Sequence, residues 1–120
     1  MRHDPVNHPD HYAGHYAHEV IELTARLNFV IGNIWKYLLR APYKGQEQED
    51  LKKAQWYARY AFHNGIKADA SVKTLELMFN FYADLRLNNR HDLASVAANL
   101  MCEDWPSVLQ KLAELAWEKK

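Results

Sequence analysis

Lys36, Arg40, Lys44 and Lys53 are the side chains whose type and spacing best suit an anion such as phosphate. Arginine offers a planar bidentate fork and lysine a mobile point charge. Tyr37, Tyr43, Trp56 and Tyr57 stand among them, so rings able to stack a base lie beside a possible phosphate clamp. A solvated helix face and ordinary core aromatics are the plain alternatives.

Carboxylates form a second constellation. Glu47, Glu49 and Asp50 sit where a helix begins, and the helix dipole alone favours acidic groups there. Glu19-x-x-Glu22 and Glu47-x-x-Asp50 are also two pairs at helical spacing, able to bind magnesium if their helices face each other. That layout resembles the all-α nucleoside triphosphate pyrophosphohydrolases. A third group is the histidine-rich start, with His3, His8, His11 and His15 around Pro5 and Pro9. His8-x-x-His11 is compatible with zinc, with phosphate contact or with proton transfer. Cys102, among Leu100, Met101 and Trp105, reads as packing. No G-x-x-x-x-G-K-[ST] loop occurs, which excludes a conventional P-loop kinase.

The elements that must position these groups are helices. Ile31, Ile34, Trp35, Leu38 and Leu39 follow the spacing of a buried stripe, leaving Asn33, Lys36 and Arg40 on the opposite face. Ala41-Pro42 ends that helix, because a residue before proline is pushed from the α region, and Lys44-Gly45 supplies a turn. The next helix starts within residues 46–50. Leu51, Ala54, Ala58, Ala61 and Phe62 form its apolar face, and Asp50, Lys53 and Tyr57 an adjoining one. Two antiparallel helices then gather Asn33, Lys36, Arg40, Lys44, Asp50, Lys53 and Tyr57 into one neighbourhood.

Around this hairpin the pattern predicts a short first helix over Val20, Ile21, Leu23 and Leu27, with a break at Asn28. Gly65 provides a left-handed stop for the third helix. Val72, Leu75, Met78, Phe79, Tyr82 and Leu85 trace a fourth helix, capped by Asp69 or Ser71. Leu93, Val96, Ala97, Leu100 and Met101 trace a fifth, with Asn89 or a neighbour as cap. Asp104-Trp105-Pro106 opens a sixth along Val108, Leu109, Leu112, Leu115 and Ala116. The expectation is an all-α single domain, residues 1–120, of about six helices with an extended N-terminal arm. Residues 1–63 carry the concentrated chemistry, and residues 64–120 read as scaffold or oligomerisation surface.

Composition agrees with one ordinary domain: 120 residues, 48% hydrophobic and 25% charged. Fifteen basic and fifteen acidic residues give zero formal charge, so a strong nucleic-acid binder is not expected, although local patches are allowed. One cysteine, no apolar run of membrane length and no signal-peptide core point to a cytoplasmic protein.

Asp4-Pro5-Val6-Asn7-His8-Pro9-Asp10-His11-Tyr12, then Gly32-Asn33, Lys36-Tyr37, Leu39-Arg40, Lys44-Gly45, Glu49-Asp50-Leu51-Lys52-Lys53-Ala54 and Trp56-Tyr57, resemble the SaV-like family of small phage and prophage proteins. That family includes the nucleotide kinase domain of a T-odd coliphage. The likeness covers residues 4–60. It implies a metal-independent deoxynucleoside monophosphate kinase acting on dTMP or dGMP in the host cytosol, in an oligomeric all-α protein without a cofactor. Carried over, the site comprises Asn7, His8, His11, Tyr12, Asn33, Lys36, Arg40, Lys44, Asp50, Lys53 and Tyr57, with His8, His11 and Asp50 the catalytic candidates. Gly14-His15-Tyr16-Ala17-His18 departs from the shorter, glycine-rich linker usual there. Two other readings stand beside it: the pyrophosphohydrolase, with magnesium on Glu19, Glu22, Glu47 and Asp50, and a non-catalytic phage factor that sequesters a nucleotide or inhibits a host protein.

Overall fold

The computed structural model describes residues 14–117. Six helices follow in order: α1 (Val20–Thr24), α2 (Phe29–Arg40), α3 (Glu47–Asn64), α4 (Val72–Leu87), α5 (His91–Met101) and α6 (Trp105–Ala116). Among the described residues there is no strand, so the protein is all-α.

Several helix boundaries have a local cause. Asn28 caps α2 by accepting the Ile31 N–H at 2.8 Å, Ser71 accepts the Thr74 N–H to open α4, and Asp104 accepts the Ser107 N–H to open α6, where Pro106 fits the first turn. Glu19 and Glu22 form a reciprocal capping box on α1. Gly65 adopts φ 64° at the end of α3, and the following Ile66 N–H returns to the Ala61 carbonyl at 2.9 Å. Ala41 differs from expectation. It remains helical at φ −51° and ψ −47°, its N–H bonded to the Tyr37 carbonyl, so the helix stops after Ala41, where Pro42 has no N–H to continue the ladder. Gly45, at φ 88°, then reverses the chain.

Helices α2 and α3 fold back on each other in the most extensive contact of the molecule, and α6 packs on another side of α3. Helix α5 lies against α4 and α6, while α1 bridges α2 and α4. The sequence halves 1–63 and 64–120 therefore share one core, from Ile34, Trp35 and Leu51 to Phe81, Val96 and Leu112. Two links hold α6 to α3: Gln48 donates to the Leu115 carbonyl at 2.8 Å, and the Trp117 indole donates to the Gln55 side chain.

The α4 stripe is rotated from its expected phase. Val72, Leu75 and Phe79 are 74, 39 and 55% exposed, whereas Leu77 and Phe81 join Met78 and Leu85 inside. Phe62, expected on the buried face of α3, is 45% exposed.

Arg90, before α5, pins the start of α3. Its guanidinium reaches both Glu47 oxygens, at 3.1 and 2.7 Å, and also Asp92. Burial on its own would raise the Asp92 pKa, but hydrogen bonds from Arg90 and the Leu93 N–H outweigh it and hold the carboxyl below its ordinary 3.8. A depressed carboxylate stabilises the fold above its unfolded value and loses that contribution as pH falls through the folded one. Urea midpoints should therefore fall as pH drops below about 4. Asp92→Asn should make that fall shallower, and an unchanged slope would assign the acid sensitivity elsewhere.

Candidate functional site

Tyr37, on α2, is the centre of the predicted neighbourhood. Its ring lies 4.7 Å from Lys36 Nζ, 5.3 Å from Lys53 Nζ and 5.7 Å from the Arg40 guanidinium carbon. The negative face of an aromatic ring attracts such cations, by about 0.5–1 kcal/mol at exposed positions. Three positive groups from two helices are thus collected around one half-buried ring.

The arrangement follows from helix geometry. Residues 36, 37 and 40 share one side of α2 by their spacing, and the α2–α3 hairpin brings Lys53 and Tyr57 across to them. Tyr57 stacks on Tyr37 at 6.2 Å with 13° between the planes, and Phe29 meets Tyr57 edge-on at 6.0 Å. Asn33 lies one turn before Tyr37, its amide donating to the Phe29 carbonyl at 2.8 Å.

Asp50 departs from its predicted place on a polar face beside Lys53 and Tyr57. It is fully buried, 3.4 Å from Arg40 Nε, and neither carboxylate oxygen accepts a hydrogen bond from a described residue. The contact is a charge pair rather than a hydrogen bond. Leu51 and Ala54 on the same helix are also fully buried, and α3 packs along α2 there. Asp50 therefore holds Arg40 and offsets the local positive charge; it does not itself face solvent. Lys44 follows the end of α2, its N–H on the Arg40 carbonyl at 3.0 Å.

The two carboxylate pairs serve other partners. Glu22 accepts the Glu19 N–H at 2.9 Å and pairs with His18 at 3.3 Å; the Glu19 bond is the main reason its pKa is lowered. Glu47 is engaged by Arg90. Among the described residues no group of three or more His, Cys, Asp or Glu side chains is placed to hold a metal ion. Asn7, His8, His11 and Tyr12 lie outside the described residues.

Three features go beyond the sequence reading. Tyr37 was only aromatic company there, yet it organises the cations. Phe29 and Tyr60 are not among the candidate site residues there, although they are 73 and 45% exposed beside the same site. A local lysine, tyrosine and arginine at 36, 37 and 40 was the available signal, since i and i+3 side chains meet on a helix. The third is Tyr43, whose ring stacks on His15 at 3.7 Å; burial is the main cause raising its phenol pKa, with the Asn88 side chain acting oppositely.

Residues 6–59 match the family described as protein of unknown function (DUF3310). The matched stretch contains α1, α2 and most of α3, hence every described residue of the cationic site, and its description assigns no activity. No curated protein matches the chain, and no solved structure does. No helix among the described residues is long and apolar enough to cross a membrane.

Proposed function

We propose that the α2–α3 face binds a nucleotide, with phosphate held by Lys36, Arg40 and Lys53 and the base laid against the Phe29 and Tyr57 rings. The observation that carries this reading is the convergence of three cations on Tyr37 next to exposed aromatic surface. Mutual repulsion among those cations would be relieved by an anion, which favours phosphate over a neutral ligand.

The finer reading is phosphoryl transfer between nucleotides by a P-loop-free deoxynucleoside monophosphate kinase of phage type. Phosphoryl transfer asks chiefly for positioning and charge neutralisation, which a paired arginine and two lysines supply. Asp50 acts here as a positioning residue for Arg40, and proton transfer falls to His8 or His11. The engagement of Glu47 by Arg90, and of Glu22 by Glu19 and His18, favours this reading over magnesium-dependent pyrophosphate release.

A thermal-shift screen of nucleotides tests binding. At a ligand concentration about 100 times Kd, stabilisation is about 2.7 kcal/mol. Lys36→Ala with Lys53→Ala removes two cations without removing the Arg40–Asp50 pair, and should abolish that shift while lowering the unliganded melting temperature by only a few degrees. A persistent shift would place the nucleotide elsewhere. Incubating dTMP or dGMP with ATP and chelator then tests turnover: a diphosphate product supports the kinase, binding without product supports sequestration, and strict magnesium dependence with pyrophosphate release supports the hydrolase.

A further inference from the structure

The aromatic surface continues along α3 beyond Tyr57. Beyond Tyr57, Trp56 meets it edge-on at 5.1 Å, and Tyr60 stacks on Trp56 at 5.7 Å with 19° between the planes. Both outer rings stand on α3 and are exposed, Trp56 at 57% and Tyr60 at 45%. From Tyr37 through Tyr57 and Trp56 to Tyr60 the rings form a continuous row, with the three cations at its Tyr37 end. Glu49 lies one turn before Lys53, at the end of α3 away from Tyr60, so it does not interrupt the outer rings.

We infer that this row binds a short single strand of nucleic acid, with a first nucleotide at the Tyr37 cations and the next base stacked on Trp56 and Tyr60. The inference rests on the nucleotide-binding reading and extends it to a ligand class. Single-strand sites combine a cationic track for the backbone with aromatic side chains for successive bases, and every base has a face that stacks. Charge complementarity selects this occupant. An apolar protein partner would match the outer rings but leave Lys36 and Lys53 without a counter-charge among the described residues, whereas a phosphodiester chain satisfies both ends of the row. The zero net charge of the chain limits long-range attraction, so the site suits a few nucleotides rather than an extended strand.

The test is calorimetric titration of the full chain with thymidine 5′-monophosphate and with 5′-phosphorylated thymidine di- and tetranucleotides, at low and raised salt. Affinity should rise roughly ten-fold from mono- to dinucleotide, as one more stacked base provides. It should also weaken with salt, more for the tetranucleotide than for the mononucleotide. In a Trp56→Ala, Tyr60→Ala variant the ratio of dinucleotide to mononucleotide affinity should fall close to unity. Equal wild-type affinities for all three ligands would overturn the inference and leave the nucleotide reading standing; absence of binding to any nucleotide, in this titration and in the thermal screen, would remove both. The wild-type length series decides the matter even if the variant does not fold. Sedimentation run in parallel reports the competing occupant: a wild-type dimer that the variant loses, with no length dependence, would make this face a contact between copies.

Discussion

Arg40→Ala should destabilise the protein by about 3–5 kcal/mol, and by more than Asp50→Ala does. The order follows from burial. Removing Arg40 leaves a carboxylate with no solvent access and no described hydrogen-bond donor, while removing Asp50 leaves a guanidinium whose side chain is 20% exposed and can reach water. Asp50→Ala should accordingly cost about 1–2 kcal/mol, since the orphaned charge is still hydrated at its edge. Replacing both, as Arg40→Met with Asp50→Leu, should recover most of the loss, because an apolar pair of similar volume has no desolvated charge to compensate. Urea denaturation of the three variants measures this directly. A reversed order between the single variants would mean that Asp50 draws its compensation from a group other than Arg40. The same asymmetry explains why lysines rather than Arg40 are the fit targets for removing ligand affinity without damaging the fold.

Phe81→Ala should cost about 3–5 kcal/mol, as expected for truncating a buried phenylalanine. Its melting temperature should drop by roughly 10–20 °C for a domain of this size. Phe81 is fully buried and meets Tyr16 edge-on at 5.3 Å, and the Tyr16 hydroxyl in turn donates to the Leu39 carbonyl on α2. Loss of the ring would therefore loosen α4, the segment before α1 and α2 together. Phe79→Ala, two residues away and 55% exposed, should change stability by no more than about 0.5 kcal/mol. Thermal melts of the two variants side by side report the rotation of α4, and equal losses would contradict the orientation described.

That contrast shows where the sequence stops being decisive. Helix α2 is apolar on one side and polar on the other, so one phase fits, and all five residues of its expected stripe are buried. Helix α4 carries Val72, Leu75, Leu77, Met78, Phe79, Phe81, Tyr82, Leu85 and Leu87, apolar groups nearly all round. Periodicity then admits more than one phase, and the choice is made by tertiary contact with α5, which a single sequence does not display. The candidate site was legible in the same measure. Lys36 and Arg40 lie opposite a clean stripe, so their shared face could be read, and the hairpin turn brought Lys53 and Tyr57 to them. Asp50 could not be read correctly, because a carboxylate in a first helical turn is ordinarily hydrated, whereas its burial beside Arg40 is a product of tertiary packing. The Arg90 clamp on Glu47 joins residues 43 positions apart and leaves no local pattern.

The links from α6 to α3 bear on how such a chain can be rearranged. Gln48 and Gln55 give two side-chain amides to the C-terminal helix, and Lys52 lies over the Trp117 ring at 4.3 Å on the same side of α3. Gln55 is only 5% exposed with α6 in place. The matched stretch ends at residue 59, so the wall it presents to α6 is completed by sequence outside the match. Transplanting residues 6–59 into another chain would strand a buried amide and an apolar helix side, unless the recipient brought its own helix with a carbonyl for Gln48 and a donor for Gln55. In modular terms, the cationic face is portable only together with whatever covers its back.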